Sequence, residues 1–475
     1  MNLRDLAGVD SDSEVTGFAI DHRKVAPGSI FGAFKGAVFN GEDFIGQAVE
    51  RGAVAVVARP EAPVPTVPLL SDPEPRRLFA EIASKFFGPY PETVVAVTGT
   101  NGKTSTVEMT RQLWRMAGHR SASIGTLGVT TSDDQVKTGL TTPDIVTFLN
   151  NMAGLKRMGI SHVAYEASSH GLDQHRAEGV PLKAAAFTNF SRDHLDYHPS
   201  MDAYFEAKMR LFDELLPADG TAVIWTDDPK STEVIERVLR RGIALMTVGR
   251  MGETIRLVEQ TPTALGQNLV IRFGARSYRL ALPLIGAYQA SNVLVAAALA
   301  MATGSSFETV FSAMQRLSPV RGRLERAVIS RAGAPVYIDY AHTADALEAA
   351  IAALRPHVSN RLITVFGAGG DRDQGKRPEM GAVATRFSDV VIVTDDNPRG
   401  EDPAKIRADV LAGAPDAMEI GGRREAIAEA IRMAGEGDII LVAGKGHETG
   451  QIVGAGASQR ILPFDDALVA RECAA

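Results

Sequence analysis

The chain has 475 residues, 45% apolar and 23% charged, an ordinary globular balance that excludes wholesale disorder. Its 50 Lys and Arg stand against 57 Asp and Glu, a net charge of −7, which argues against a nucleic-acid-coating protein and for a soluble cytosolic one. A lone cysteine, Cys473, excludes a disulfide framework and a multi-cysteine zinc or iron–sulfur site. The longest apolar run, Val293 to Ala302, is too short to span a bilayer, and the first residues carry no secretory pattern.

Length alone suggests about three domains. In the first ninety residues, Phe31-Gly32-Ala33-Phe34 and Ala53 to Val57 read as short buried strands of a small α/β module. Six prolines from Pro60 to Pro75 then predict a loop or sheet edge, because proline donates no ladder hydrogen bond. Arg76 to Phe87 reads as a helix, and Gly88-Pro89-Tyr90-Pro91 marks a boundary, giving a first domain over 1–90. A second, over 91–318, opens with the strand Thr93 to Val97 and continues with strands at 162–167, 184–188 and 221–225, helical patterns lying between them. That alternation predicts an α/β fold with a mostly parallel sheet and helices on both faces. A third domain, 319–475, repeats the rhythm with strands at 336–338, 362–366, 390–393 and 439–442. Each runs into glycine or polar residues: Asp339 to His342, Gly367 to Asp373, Asp395 to Arg399 and Gly444 to Glu448. Ligands of open α/β sheets sit at the carboxyl ends of strands, so four such ends predict one cleft. Asp402-Pro403 supplies an N-cap and a first-turn proline for the next helix.

The strongest chemical signal is Thr98-Gly99-Thr100-Asn101-Gly102-Lys103-Thr104-Ser105, between a strand and a helical pattern. Glycines let backbone fold round a phosphate, the helix N-terminus offers unpaired N–H groups, Lys103 suits the β/γ-phosphates, and the Thr104 hydroxyl suits Mg²⁺. The strict phosphate-loop pattern has a further glycine upstream, where Val97 and Thr98 stand. Glu166, in Tyr165-Glu166-Ala167-Ser168-Ser169-His170, ends a buried strand and suits either Mg²⁺ or a structural ion pair. His170, His175, His194 and His198 lack the spacing of a common zinc site; capping or packing suits His175 and His198. Ser191-Arg192-Asp193-His194-Leu195-Asp196-Tyr197-His198 reads as a polar site loop, and on spacing alone Lys208 reads as a solvated lysine.

Together, the Thr-Gly-Thr-Asn-Gly-Lys-Thr loop, Glu-x-Ser-Ser-His, Ser-Arg-Asp-His-Leu-Asp-Tyr-His, Asp-Tyr-Ala-His and Gly-Lys-Gly-His-Glu resemble the Mur ligase family along essentially the whole chain. Their order is similar to that of members adding the third peptide residue to the peptidoglycan precursor. Asp396-Asn397-Pro398-Arg399 resembles the version that selects meso-diaminopimelate over L-lysine. The resemblance implies a UDP-substrate domain, a central ATPase domain and a C-terminal Rossmann-like domain for the amino acid. It implies catalytic roles for Lys103, Glu166, His194 and Lys208, the last carbamylated, with Thr104, Glu166 and the carbamate as Mg²⁺ ligands. Gly99 to Ser105, Asn292, Arg323, Asp339 and His342 match nucleotide-contacting or domain-closing positions. Ile20, His22, Thr141, Thr142, Ser168, Gln174 and Arg176 match positions for UDP-N-acetylmuramoyl-dipeptide. Arg372, Asp396, Asn397, Pro398, Arg399, Gly444 and Glu448 match positions for diaminopimelate. Where family members often carry Asp-Ser-Arg, this chain has Asp21-His22-Arg23.

The implied reaction is an ATP-dependent carboxylate–amine ligation through an acyl phosphate, performed by a cytoplasmic monomer with neither nucleic acid nor a membrane span. Competing readings fit less of the chain. A GTPase-like switch would need Asn-Lys-x-Asp, and no Asn-Lys pair occurs. A folylpolyglutamate synthetase leaves the first ninety residues and Asp-Asn-Pro-Arg unexplained. A nicotinamide dehydrogenase needs a fuller fingerprint than Gly367-Ala368-Gly369-Gly370.

Overall fold

The computed structural model describes the chain except Ala37, Val38, Asp133, Lys137, Thr138, Asp196, Ala264, Leu265 and the side chain of Ala457. Asp196 of the polar loop therefore lies outside the described residues. The chain forms two compact units, Met1–Glu253 with Val295–Val310, and Thr254–Leu294 with Phe311–Ala475.

The first unit begins with a four-stranded parallel sheet in the order Gly17–Ala19, Ser29–Gly32, Ala53–Ala58, Leu69–Ser71. The edge strand Leu69–Ser71 lies within the proline-rich run and holds no proline itself, the prolines standing in the chain on either side of it. Helix Pro75–Phe87 starts on its proline and buries Phe79, Ala80, Ile82 and Ala83. The ring of Phe79 meets Phe18 and Phe34 edge-on, each at 5.4 Å.

The unit's larger sheet runs Ala244–Gly249, Thr221–Trp225, Ala184–Phe187, Thr93–Thr98, His162–Glu166, Ser121–Gly125, Gly128–Thr130, Gln135–Val136. Its first six strands are parallel and the last two antiparallel. Val94 to Val97 are fully buried, as an apolar strand covered on both faces must be. The chain leaves Thr93–Thr98 first for one side of the sheet and later returns on the other, so the loop after this strand lies at a topological switch point. Strands Ser121–Gly125 and Ala244–Gly249 were absent from the sequence expectation. Ser-Ala-Ser-Ile-Gly carries little β-branched or aromatic signal, and only its neighbours make it a strand.

The second unit contains three antiparallel strands, Ile255–Thr263, Gly266–Phe273 and Arg276–Leu282, also unanticipated. Its six-stranded sheet runs Glu325–Ile329, Pro335–Asp339, Ile439–Ala443, Leu362–Phe366, Val390–Val393, Met418–Glu419, parallel except at its first pair. Separate apolar clusters cover its two faces, one around Leu347, Phe366 and Met380, the other around Ile338, Ile427 and Val442. Asp402 caps helix Pro403–Leu411 by accepting from the Ala404 N–H, as expected. Among the described residues no helix is long and apolar enough to cross a membrane.

Candidate functional site

Strand Thr93–Thr98 passes through Gly99 to Asn101 and Gly102 into helix Lys103–Met116. Gly99 and Gly102 have φ of 141° and 85°, conformations that favour glycine. A Cβ on Gly99 would lie 2.0 Å from Thr188 Oγ1, so close approach also demands glycine there. The neighbouring strand braces the loop: Thr188 Oγ1 donates to the Asn101 carbonyl at 2.6 Å, and the Asn101 N–H donates to Asn189 Oδ1 at 2.8 Å. Lys103 curls back, donating to the carbonyls of Gly99 at 3.0 Å and Thr100 at 2.7 Å. The first helical turn, carrying Thr104 and Ser105, directs backbone N–H groups along the helix axis toward this loop.

Glu166 ends the adjacent strand, buried. Its carboxylate accepts from Thr104 Oγ1 at 3.0 Å, the Thr126 N–H at 2.6 Å and Thr126 Oγ1 at 3.2 Å. Gly125 makes the room, since a Cβ there would lie 2.1 Å from Glu166 Oε1. Lys208 is 1% exposed rather than solvated, which corrects the reading from spacing alone. Helix Met201–Arg210 carries its amine inward, where it donates to the Gly99 carbonyl at 2.7 Å and lies 4.3 Å from the Tyr204 ring centre. Burial, reinforced by the nearby charge of Lys103, pushes the Lys208 amine well below the ordinary lysine range. His194 adopts a left-handed φ of 53°, and its ring lies 4.8 Å from that of His170. His175 pairs with Glu178 at 2.6 Å, a packing role, and His198 is buried against Tyr204. The Glu166 carboxylate and the Thr104 hydroxyl are oxygen donors of the kind that suits Mg²⁺.

The residues matched to the UDP substrate also lie in the first unit. Thr142 Oγ1 is bonded to the Glu166 carbonyl at 2.8 Å and to Ser168 Oγ at 2.9 Å, while Thr141 Oγ1 meets Thr126 Oγ1 at 3.1 Å. Arg176 donates to Gln174 Oε1 at 2.7 Å and to the Thr142 carbonyl at 3.3 Å. Ile20, Gln174 and Arg176 line a cavity of about 100 Å³ together with Arg76 and Asp144, two residues the motifs did not flag. Arg76 sits within a helical pattern, so only the fold reveals that it faces this cavity. His22 stacks on Phe44, ring centres 4.3 Å apart and planes 3° from parallel. Beside it, a hydrogen bond from Arg23 pulls the Asp21 carboxyl down to about 2.

The remaining predicted residues belong to the second unit. Asn292 Nδ2 donates to Gln289 Oε1 at 3.2 Å. Asp339 accepts from the N–H groups of Leu324 at 2.7 Å and Ala341 at 2.9 Å, and burial lifts its carboxyl to about 6 although the charge of Arg323 opposes this. Arg323 lies over the Tyr340 ring at 4.5 Å, and His342 Nδ1 donates to the Tyr340 carbonyl at 2.9 Å.

The four loaded strand ends converge on one side of this sheet. The Gly444 N–H donates to the Asp339 carbonyl at 3.1 Å, and a Cβ on Gly444 would lie 2.5 Å from Asp396 Oδ2. Asn397 Nδ2 donates to Glu448 Oε2 at 2.9 Å. Arg399, at a left-handed φ of 50°, donates to the Gly370 carbonyl at 2.8 Å, and a Cβ on Gly370 would lie 1.9 Å from the Pro398 carbonyl oxygen. Burial and the neighbouring Arg372 charge lower the affinity of Arg399 for its proton. Lys445, passed over in the sequence although it stands inside Gly-Lys-Gly-His-Glu, is fully buried between Asn397 and Glu448.

A glycine-rich phosphate loop at the switch point of a parallel sheet, with a buried carboxylate on the adjacent strand, defines a phosphate-loop nucleotide-site architecture. Residues 14–87, 97–300 and 322–446 match the Mur ligase catalytic domain, middle domain and glutamate ligase domain respectively. The chain belongs to the Mur ligase family. It is 57% identical over 467 residues to the UDP-N-acetylmuramoyl-L-alanyl-D-glutamate--2,6-diaminopimelate ligase of Zymomonas mobilis, covering 98% of this chain and 96% of that relative. It is 49% identical over 464 residues to the protein of the same name from Caulobacter vibrioides, covering 96% and 94%. A solved structure of a ligase of that name superposes with a TM-score of 0.73 at 31% identity, covering 100% of this chain and 98% of the other. The Thermotoga maritima MurF ligase in complex with ADP shares the fold, with a TM-score of 0.63 at 19% identity over 92% and 94%.

Proposed function

We propose that this chain is the ATP-dependent ligase that joins meso-diaminopimelate to UDP-N-acetylmuramoyl-L-alanyl-D-glutamate in peptidoglycan precursor synthesis. The names of its relatives support the substrates. The observation that carries the chemistry is the convergence on one loop of Lys103, the Thr104–Glu166 pair and the buried Lys208 amine. On this reading the domains are 1–90 for the UDP substrate, 91–318 for ATP and 319–475 for the amino acid. The protein works in the cytoplasm as a monomer and sustains cell shape and division through the wall.

A carboxylate is a poor acyl donor because oxide is a poor leaving group. Transfer of the γ-phosphoryl group to the glutamyl carboxylate yields ADP and an acyl phosphate. The amine of diaminopimelate attacks the acyl carbon, the tetrahedral intermediate expels phosphate, and the nitrogen loses its proton as the amide forms. Gly99 to Ser105 hold the triphosphate through backbone N–H groups, and Lys103 lies where charge builds on the moving phosphoryl group. Thr104, Glu166 and Lys208 as its carbamate would hold Mg²⁺, which neutralises phosphate charge when bound. Lys208 is suited to carbamylation because burial favours the uncharged form of its amine, whose lone pair forms the bond to carbon dioxide with release of a proton. His194 orients groups at this loop. Ile20, His22, Thr141, Thr142, Ser168, Gln174 and Arg176 bind the UDP substrate; Asn292, Arg323, Asp339 and His342 contact nucleotide or the closing domain. Arg372, Asp396, Asn397, Pro398, Arg399, Gly444 and Glu448 receive diaminopimelate. Cationic, amide and acidic groups together match an acceptor with both carboxylates and ammonium groups.

The test is phosphate release from ATP and Mg²⁺ with UDP-N-acetylmuramoyl-dipeptide, comparing meso-diaminopimelate, L-lysine and no acceptor. Release that depends on diaminopimelate is expected; release indifferent to the acceptor overturns the assignment.

A further inference from the structure

Lys445 is fully buried, which is costly for an ammonium unless its surroundings compensate. It donates to Asn397 Oδ1 and to Glu448 Oε2, both at 2.9 Å. Asn397 Oδ1 also accepts from the Ile452 N–H at 2.9 Å. With its oxygen held by two donors, the amide can turn only its NH₂ side toward Glu448, and Nδ2 donates to Oε2 at 2.9 Å. The backbone beneath is clamped as well. Gln451 Nε2 donates to the Asp396 carbonyl at 2.6 Å, the Arg399 N–H to the Ile452 carbonyl at 3.0 Å, and the Gly454 N–H to the Arg399 carbonyl at 2.7 Å.

We infer that Lys445 is a positioning and specificity-determining residue for the amino-acid acceptor, acting through Asn397 and Glu448. This rests on the proposed reading of the strand-end cleft as the acceptor site. Together with the Ile452 N–H, Lys445 occupies the amide oxygen and so fixes which face of Asn397 is a donor. By occupying Glu448 Oε2, it directs the other carboxylate oxygen to an incoming ammonium group. Without it, Asn397 Oδ1 keeps only the Ile452 N–H and Glu448 Oε2 only the Asn397 amide, so the pair is held less firmly and a zwitterionic acceptor meets donors and acceptors that are less sharply sorted. The physical requirement is for a charged donor on a long stem, which a buried methionine of similar length cannot meet.

The test measures KM for meso-diaminopimelate, ATP and UDP-N-acetylmuramoyl-dipeptide in the wild type, K445M, E448Q and the double variant. Losing the two charge-assisted hydrogen bonds of Lys445, only part of whose energy reaches the acceptor, predicts that K445M raises KM for the acceptor roughly 10- to 100-fold. The other two KM values should stay within about threefold, typical of a site outside their contacts. Because Lys445 acts in part through Glu448, the two substitutions should combine to clearly less than the product of their separate effects, whereas unrelated structural damage would multiply. An unchanged acceptor KM, a joint rise in all three, or multiplicative effects overturns the inference. If K445M yields no soluble protein, K445Q, which keeps a donor but not the charge, is held to the same criteria. A wild type that ignores diaminopimelate would instead sink the underlying reading, a separate result visible before any variant is made.

Discussion

Lys103 and Lys208 donate to the same carbonyl, that of Gly99, yet they are chemically unlike. Lys103 is half-buried at the start of a helix, whereas Lys208 is enclosed and burial pushes its amine well below the ordinary lysine range. Lys103→Ala should abolish ADP formation while UDP-substrate binding survives, measured by nucleotide turnover and by titration calorimetry; normal turnover would remove the phosphate-loop assignment. Lys208→Ala should lose activity and regain part of it with added short carboxylates, because these would replace the oxygens of the proposed carbamate. Full activity without rescue would discard the carbamate. At the other site, Arg399→Ala should weaken use of diaminopimelate far more than residual use of L-lysine, since only the former has the extra carboxylate. One bidentate or charged hydrogen bond sets the scale at roughly 10- to 100-fold in kcat/KM. Equal loss for both amino acids would contradict that role.

At the scale of elements, the chemistry sits where strands stop. Gly125 ends strand Ser121–Gly125 and has no side chain because Glu166, ending the next strand, occupies the space. Gly125→Ala should therefore displace the carboxylate and, on the proposed reading of Glu166 as a metal-holding group, lower kcat by about 100-fold. The protein should remain folded by circular dichroism, because the clash is with a side chain at the strand end. Wild-type turnover in a folded Gly125→Ala variant would show that Glu166 tolerates displacement. These ends were partly legible in the sequence: Gly-Lys-Thr after a strand and four polar strand ends needed no structure. Gly125 and Thr126 were not, because their partner Glu166 is distant in sequence and adjacent only through strand pairing.

Across the whole molecule, burial tunes groups far from the phosphate loop. His162, at the opposite end of its strand from Glu166, is buried, stacks on His119 at 4.1 Å and meets Trp114 at 5.1 Å. Desolvation, with the His119 charge adding, lowers its pKa to about 4. Between pH 6.5 and about 4 the unfolded chain binds a proton here that the native chain refuses, so stability falls as the pH drops through that window. A lowering of this size corresponds to roughly 3 kcal/mol. His162→Gln should flatten the decline of urea-unfolding stability between pH 6.5 and 4, and an unaltered slope would assign the acid sensitivity elsewhere. Asp339 contributes with the opposite sign. Its carboxyl, lifted to about 6, binds a proton in the native state that the unfolded state has already lost, so its contribution falls as pH rises from 3.8 to 6.

What the amino-acid order determined unaided was local: the phosphate loop, helix Pro75–Phe87, the strands Thr221–Trp225, Leu362–Phe366 and Val390–Val393, and the polar residues at strand ends. Each depends on neighbours a few positions apart, which glycine, proline and apolar runs encode directly. Tertiary structure alone decided the rest. Lys208 reads as a surface lysine until a helix carries it under the Gly99 carbonyl, and Lys445 reads as a motif filler until the distant Asn397 meets its amine. Strands such as Ser121–Gly125 exist because they are paired, not because their residues favour extension. Burial, which sets the charge of an amine or a carboxyl, is a property of what surrounds a residue, and those surroundings come from segments dozens of positions away.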